Sequence, residues 1–200
     1  MNRHVLLVVF ALAFVLDAPA VLAGPIHEAA STGDVDRIEQ LLDQGAGLEE
    51  RNETQETPLI SAALVGQLGA VSSLIAKGAD VQARNDRGLT SLHAAAYGGH
   101  PDVVRILIEH GAMVNDAQNP FKVTPLHVAA EENRLEVVQV LIDAKANLEP
   151  TEVNGYTPLS RAGFREHWDV VTVLLKAGAS CQPAEKAGEW LFGECTKRSK

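Results

Sequence analysis

The chain has 200 residues, of which 46% are apolar but only 4% aromatic, and it carries a formal charge of −9. That length holds one or two ordinary domains, and a composition rich in alanine and leucine suits closely packed short helices better than an aromatic-rich sandwich or barrel. The acidic balance speaks against nucleic-acid binding, which needs a cationic face to displace counterions, and it suits a soluble monomer that favours a basic protein partner.

The first residues are unlike the rest. Arg3 and His4 make a short polar start, Val5 to Leu16 is an unbroken apolar run, and Val21-Leu22-Ala23 precedes Gly24. This is the layout of a secretory signal peptide, residues 1–23, with cleavage between Ala23 and Gly24. The apolar run falls short of the roughly 20 residues that span a bilayer, so no stable membrane anchor is expected after cleavage. Removing the leader takes away Arg3 and Asp17, leaving 16 basic against 25 acidic residues and the same −9.

From Pro25 onward the chain repeats itself. Ile26, Leu59, Leu92, Leu126 and Leu159 recur with a period of about 33 residues, and four of them have a threonine two places before. Gly45-Ala46, Gly78-Ala79, Gly111-Ala112, Lys145-Ala146 and Gly178-Ala179 each stand at one and the same offset from their own Ile or Leu. Only the step from Leu92 to Leu126 is longer, by a single residue, which therefore lies in the loop between Gly111 and Thr124. Two markers that keep one register over five units fix the architecture.

Each unit reads as helix, turn, helix and loop. Thr57, Thr90, Thr124 and Thr157 have hydroxyls suited to cap a helix, and Pro58, Pro125 and Pro158 suit its first turn. Ala62-Ala63, Ala95-Ala96 and Ala129-Ala130 let neighbouring helices approach closely. Gly33, Gly66 and Gly99 end that helix in a left-handed conformation. Second helices carry apolar pairs at helical spacing, such as Val103-Val104 with Leu107-Ile108. Asn133 tolerates the left-handed position, Lys145 does so at a cost, and Glu166 is expected to refuse it and bend the fifth unit differently.

Thr-Pro-Leu-His and Gly-Ala, set in a helix-turn-helix unit of this period, resemble the ankyrin repeat. The resemblance implies an all-α repeat solenoid, a stack of about five helix-turn-helix units with hairpin loops. It spans residues 24–183, with repeats at about 25–53, 54–86, 87–119, 120–153 and 154–183. Residues 184–200 form a C-terminal capping segment in which Trp190, Leu191 and Phe192 are expected to cover the last repeat. The same resemblance gives His27, His93 and His127 a structural role, hydrogen-bonding within and between repeats, and likewise His100 and His167.

Chemistry-bearing motifs are missing. There is no nucleophile elbow, phosphate-cradling loop or His-Glu-x-x-His, and no carboxylate or cysteine recurs beside the histidines to complete a metal site. Glu131 and Glu132 are adjacent on a helix, about 100° apart, and so poorly placed for joint acid–base work. No catalytic residue, metal or cofactor is expected. Cys181 and Cys195 are spaced for a disulfide in an oxidising compartment, or stand as two free thiols in a reducing one.

Partners of such stacks usually bind the hairpin tips and the exposed side of the first helices. The corresponding positions hold Leu89, Tyr97, Phe121, Val123, Val128, Tyr156 and Phe164 as an apolar band. Glu131 is expected to flank it, with Arg161 and Arg165 closing its far end. An aromatic centre with a charged rim is the usual composition of a protein-binding surface. The expected function is a non-enzymatic, periplasmic or secreted module that binds one protein. It would be a scaffold for a resident enzyme, an immunity protein that neutralises a toxin, or an effector sent to a host cell.

Overall fold

A computed structural model describes residues 24–199; the expected leader and Ala23 lie outside them. Among the described residues there are helices and no strands. Five pairs follow in order: α1 (Pro25–Thr32) with α2 (Val35–Asp43), α3 (Pro58–Val65) with α4 (Leu68–Ala76), and α5 (Ser91–Gly98) with α6 (Pro101–Glu109). Next come α7 (Pro125–Glu131) with α8 (Leu135–Asp143) and α9 (Pro158–Phe164) with α10 (Trp168–Lys176). Two further segments close the chain, α11 (Ala184–Ala187) and α12 (Glu189–Arg198).

Local chemistry starts each first helix. The hydroxyls of Thr57, Thr124 and Thr157 accept from the amides of Ile60, His127 and Ser160, while proline occupies the first turn. These helices are only seven or eight residues long, too short to persist alone in water. Burial stabilises them: α1, α3, α5, α7 and α9 lie side by side, and α2, α4, α6, α8 and α10 form a second layer. The core is correspondingly a strip. Leu59, Leu92, Leu126 and Leu159 run along one row of it, and Leu74, Leu107, Leu141 and Leu174 along the other, all within 1% of full burial. Each contributes on the order of 2 kcal/mol. The paired alanines between them are completely buried, which is what lets adjacent first helices touch.

The turn between paired helices is left-handed in every unit: φ is 77° at Gly33, 81° at Gly66, 83° at Gly99, 57° at Asn133 and 61° at Glu166. Glu166 thus corrects the expectation that the fifth unit bends differently. The flanking bonds, His167 N–H to Ala162 O at 3.0 Å and Trp168 N–H to Glu166 O at 2.9 Å, hold the turn. The Glu166 side chain points into solvent, where nothing opposes it. Lys145 keeps the same conformation at a helix end, with φ 64°.

The C-terminal segment packs on α9 and α10. Cys181 is bridged to Cys195, with 5.9 Å between their Cα atoms. Of the three apolar residues expected to form the cover, Leu191 does so fully, while Trp190 and Phe192 keep 54% and 36% of their surface exposed. Leu191 seats against Gly163, where a Cβ would collide with its Cδ1. The other units have alanine at that position (Ala30, Ala63, Ala96, Ala130), so the cap approaches more closely than a repeat helix does. Trp190 meets Trp168 edge-on at 5.7 Å, and the Arg198 guanidinium lies 4.1 Å from the Trp168 ring centre.

Two outcomes are expected. Replacing Glu166 or Lys145 by glycine removes the left-handed strain and raises stability by about 1 kcal/mol each in urea unfolding. Cys195→Ser releases a clamp worth about 3 kcal/mol by the loop-entropy relation, so amides of α11 and α12 lose hydrogen-exchange protection before those of α3 to α8.

Candidate functional site

Between one helix pair and the next, the chain makes a loop that is closed by its own side chains. Asn52 Oδ1 accepts from the amides of Thr54 and Glu56, and Asn85 Oδ1 from those of Arg87 and Leu89, at 2.9–3.0 Å. Asn119 exchanges bonds with Val123, and the Glu152 carboxylate accepts from the amides of Asn154 and Tyr156. Neighbouring tips are then tied through the backbone, Asp86 N–H to Thr54 O at 3.1 Å and Val153 N–H to Phe121 O at 2.9 Å.

A second ladder locks the helices. Gln67, His100, Arg134 and His167 each donate from the side chain to a carbonyl of the preceding first helix: Ser31, Leu64, Tyr97 and Glu131, at 2.9–3.1 Å. These residues, and the loop-closing set before them, recur in step with the core leucines. Only the histidines among them stand out in the sequence by residue type. Aligning polar positions as well as apolar ones by the same period finds all eight.

His93 and His127 sit in a third ladder. Nε2 of His93 faces the Val123 carbonyl at 3.1 Å, and that of His127 faces the Tyr156 carbonyl at 3.1 Å. A carbonyl only accepts, so each ring carries its proton on Nε2 and receives the capping threonine at Nδ1. Burial is the main reason that both pKa values fall to about 4. The charged group beside His93 is Asp116, buried and held by Arg84 through two bonds of 2.8 Å. That ion pair with its hydrogen bond keeps the Asp116 carboxyl below the usual range despite burial. Among the described residues no group of three His, Cys, Asp or Glu side chains is arranged to hold a metal ion.

The structure redistributes the expected partner-binding residues. Leu89, Val123 and Val128 are 1% exposed and belong to the core: Leu89 and Val123 directly precede the capping threonines of α5 and α7, and Val128 lies within α7, which packs between α5 and α9. Glu131 is also buried. Arg161 approaches it to 3.2 Å and Arg165 to 3.0 Å, so its charge is used to join α7 to α9 and is not a surface feature. Arg161 reaches Glu152 as well, at 3.7 Å, and is itself mostly covered. Phe121 and Tyr97 are half-buried and pack against the core. Tyr156 is half-buried, edge-on to Phe164 at 4.9 Å and under Lys186.

What remains open is a narrower face. Val65, Tyr97, Glu132, Phe164 and Arg165 run along the first-helix side, with Val153 at the tip of one loop. Val65 is 46%, Phe164 36% and Val153 56% exposed. Burial and then the neighbouring Glu131 charge push the Glu132 carboxyl up, and burial first of all raises the Tyr97 phenol. The first-helix face thus combines exposed apolar groups, a partly desolvated acid and a cation, held on a rigid stack.

A family model described as ankyrin repeats (3 copies) matches residues 26–118 and 113–184. A search of curated proteins returned no match.

The histidine ladder makes stability depend on pH. His93 and His127 are neutral in the folded chain down to about pH 4 but take up a proton near pH 6.5 once unfolded. Stability is therefore fully present above pH 6.5 and falls as the pH drops towards 4, by up to about 3 kcal/mol per histidine. Urea midpoints at pH 7 and pH 4.5 measure the effect, and His93→Gln with His127→Gln should flatten it.

Proposed function

The chain belongs to the ankyrin-repeat family, a class of protein–protein interaction modules that is typically non-enzymatic, and from that premise we propose that it is an exported, monomeric binding protein for one protein partner in the periplasm. The observation that carries the reading is the first-helix face, where Val65, Glu132 and Arg165 hold one repeat position and Tyr97 and Phe164 the position before it, with Val65 and Phe164 exposed. A stack held by nearest-neighbour contacts presents such a face without rearrangement, which lowers the entropic cost of binding.

Export is supported by the leader-like first 23 residues and by the Cys181–Cys195 bridge, since disulfides persist in oxidising compartments. A basic partner is supported by where the charge lies. Residues 24–56 hold nine carboxylates against Arg37 and Arg51, a net −7 within the whole chain's −9. Such a field steers a cationic protein towards the N-terminal end and quickens association at low salt. The remaining repeats, nearly balanced in charge, supply the apolar grip.

Affinity capture on the processed chain from a periplasmic extract tests this. A single protein should be retained at stoichiometric amounts and at least tenfold less by Val65→Glu/Phe164→Glu, whose side chains are exposed. Met113→Glu, exposed in the loop after α6, should bind like the parent. Equal capture by all three chains would remove this face as the site.

A further inference from the structure

The first repeat breaks the capping pattern of the others in a way that points to a ligand. In α5 and α7 the third-position imidazole accepts at Nδ1 from the capping threonine. The bonds are Thr90 N–H at 3.3 Å with its hydroxyl at 3.0 Å, and Thr124 N–H at 3.2 Å with its hydroxyl at 2.9 Å. His27 is the equivalent residue of α1. Its Nε2 donates to the carbonyls of Glu50 and Glu56, at 3.1 and 2.9 Å, so its Nδ1 is left as an acceptor. His27 is 1% exposed, and that Nδ1 is buried with no partner. A buried acceptor without a donor is costly and calls for an explanation.

The capping residue here is Gly24, which has no hydroxyl to offer. A second group converges on the same residue. The Glu50 carboxylate lies so close that any Cβ on Gly24 would collide with its Oε1, and the same Cβ would stand 3.6 Å from His27 Nδ1. One small residue is therefore flanked by a carboxylate and by an imidazole lone pair. A peptide amide brings one hydrogen and no charge to that spot. An α-ammonium brings three hydrogens and a positive charge, enough for both acceptors at once.

We propose that Gly24 becomes the amino terminus by hydrolysis of the Ala23–Gly24 bond, and that its α-ammonium docks between the Glu50 carboxylate and His27 Nδ1. The step consumes one water: the amide C–N bond breaks, Ala23 keeps the hydroxyl as a carboxylate, and the released amine of Gly24 is protonated at neutral pH. The hydrolysing agent is a peptidase of the export route, so the inference rests on the export reading above. Cleavage then completes the cap of α1, and the end repeat locks only in the processed chain. A cation at a helix N-terminus opposes the helix dipole, and Glu50 is the group that offsets it.

Chains beginning at Gly24 with a free or an acetylated amine, each prepared with Glu50 intact and as Glu50→Gln, test the docking. The free-amine parent should melt about 3 °C above its acetylated form, and this gap should vanish in Glu50→Gln. Its amine should also react with limiting acetylating reagent at pH 7 about tenfold more slowly than that of Glu50→Gln, because the ion pair holds it in the protonated, unreactive form. Equal melting of the two parent forms, a gap that persists in Glu50→Gln, or equal reaction rates would each overturn the docking. The intact mass of the exported protein judges the export reading separately: a start at Gly24 supports it, and any other start overturns processing at this bond whatever the melting data show.

Discussion

A helix of seven or eight residues has too few internal hydrogen bonds to offset the entropy of forming it. Each first helix of this protein exists because another, one repeat away in sequence, covers it. That dependence fixes most of the architecture. The residues between adjacent helices must be small, so alanine pairs recur and are completely buried. The leucines must recur at the same depth, so two rows of them run the length of the stack. Beyond the fifth pair the constraint reappears in altered form: Gly163 replaces the alanine, Leu191 of α12 takes the place of a neighbouring helix, and a disulfide holds the substitute in place.

Polar groups obey the same logic at a finer scale. A helix end leaves carbonyls without partners, and here the next repeat supplies the donor, from Gln67, His100, Arg134 or His167. The donor type varies freely while its place does not, because only reach and a hydrogen are required. The buried ion pairs, Arg84 with Asp116 and Arg161 with Glu131, are likewise contacts between successive repeats. They join neighbours more than they stabilise, since desolvation offsets much of the attraction of a buried pair.

Function depends on the surface that packing leaves uncovered. Core formation and inter-repeat bonding consume most of the conspicuous residues, including several that look like surface anchors. The first-helix face keeps Val65 and Phe164 uncovered, and its rigidity comes from those same contacts. The acidic charge has a separate distribution, concentrated in the first repeat, so steering and gripping are assigned to different parts of one scaffold.

Whereas the spacing of Cys181 and Cys195 left a disulfide and two free thiols both open, the repeat period, the caps and the left-handed glycines were legible from the chain because each is a local or strictly repeated signal. The sign of φ at Glu166 was not, since neighbouring backbone bonds outweigh the residue's own preference by enough to impose a cost of about 1–2 kcal/mol. Exposure was not legible either. Leu89 and Val123 stand in loops and Val128 on α7, and all three become interior only when neighbouring elements pack against them. Glu131 reads as a solvated acid until two arginines of the next repeat, Arg161 and Arg165, arrive beside it. Sequence alone determined which elements form and in what register they stack. Which side chains stay open to a partner was decided only by tertiary structure, because burial is a property of neighbours that periodicity does not encode.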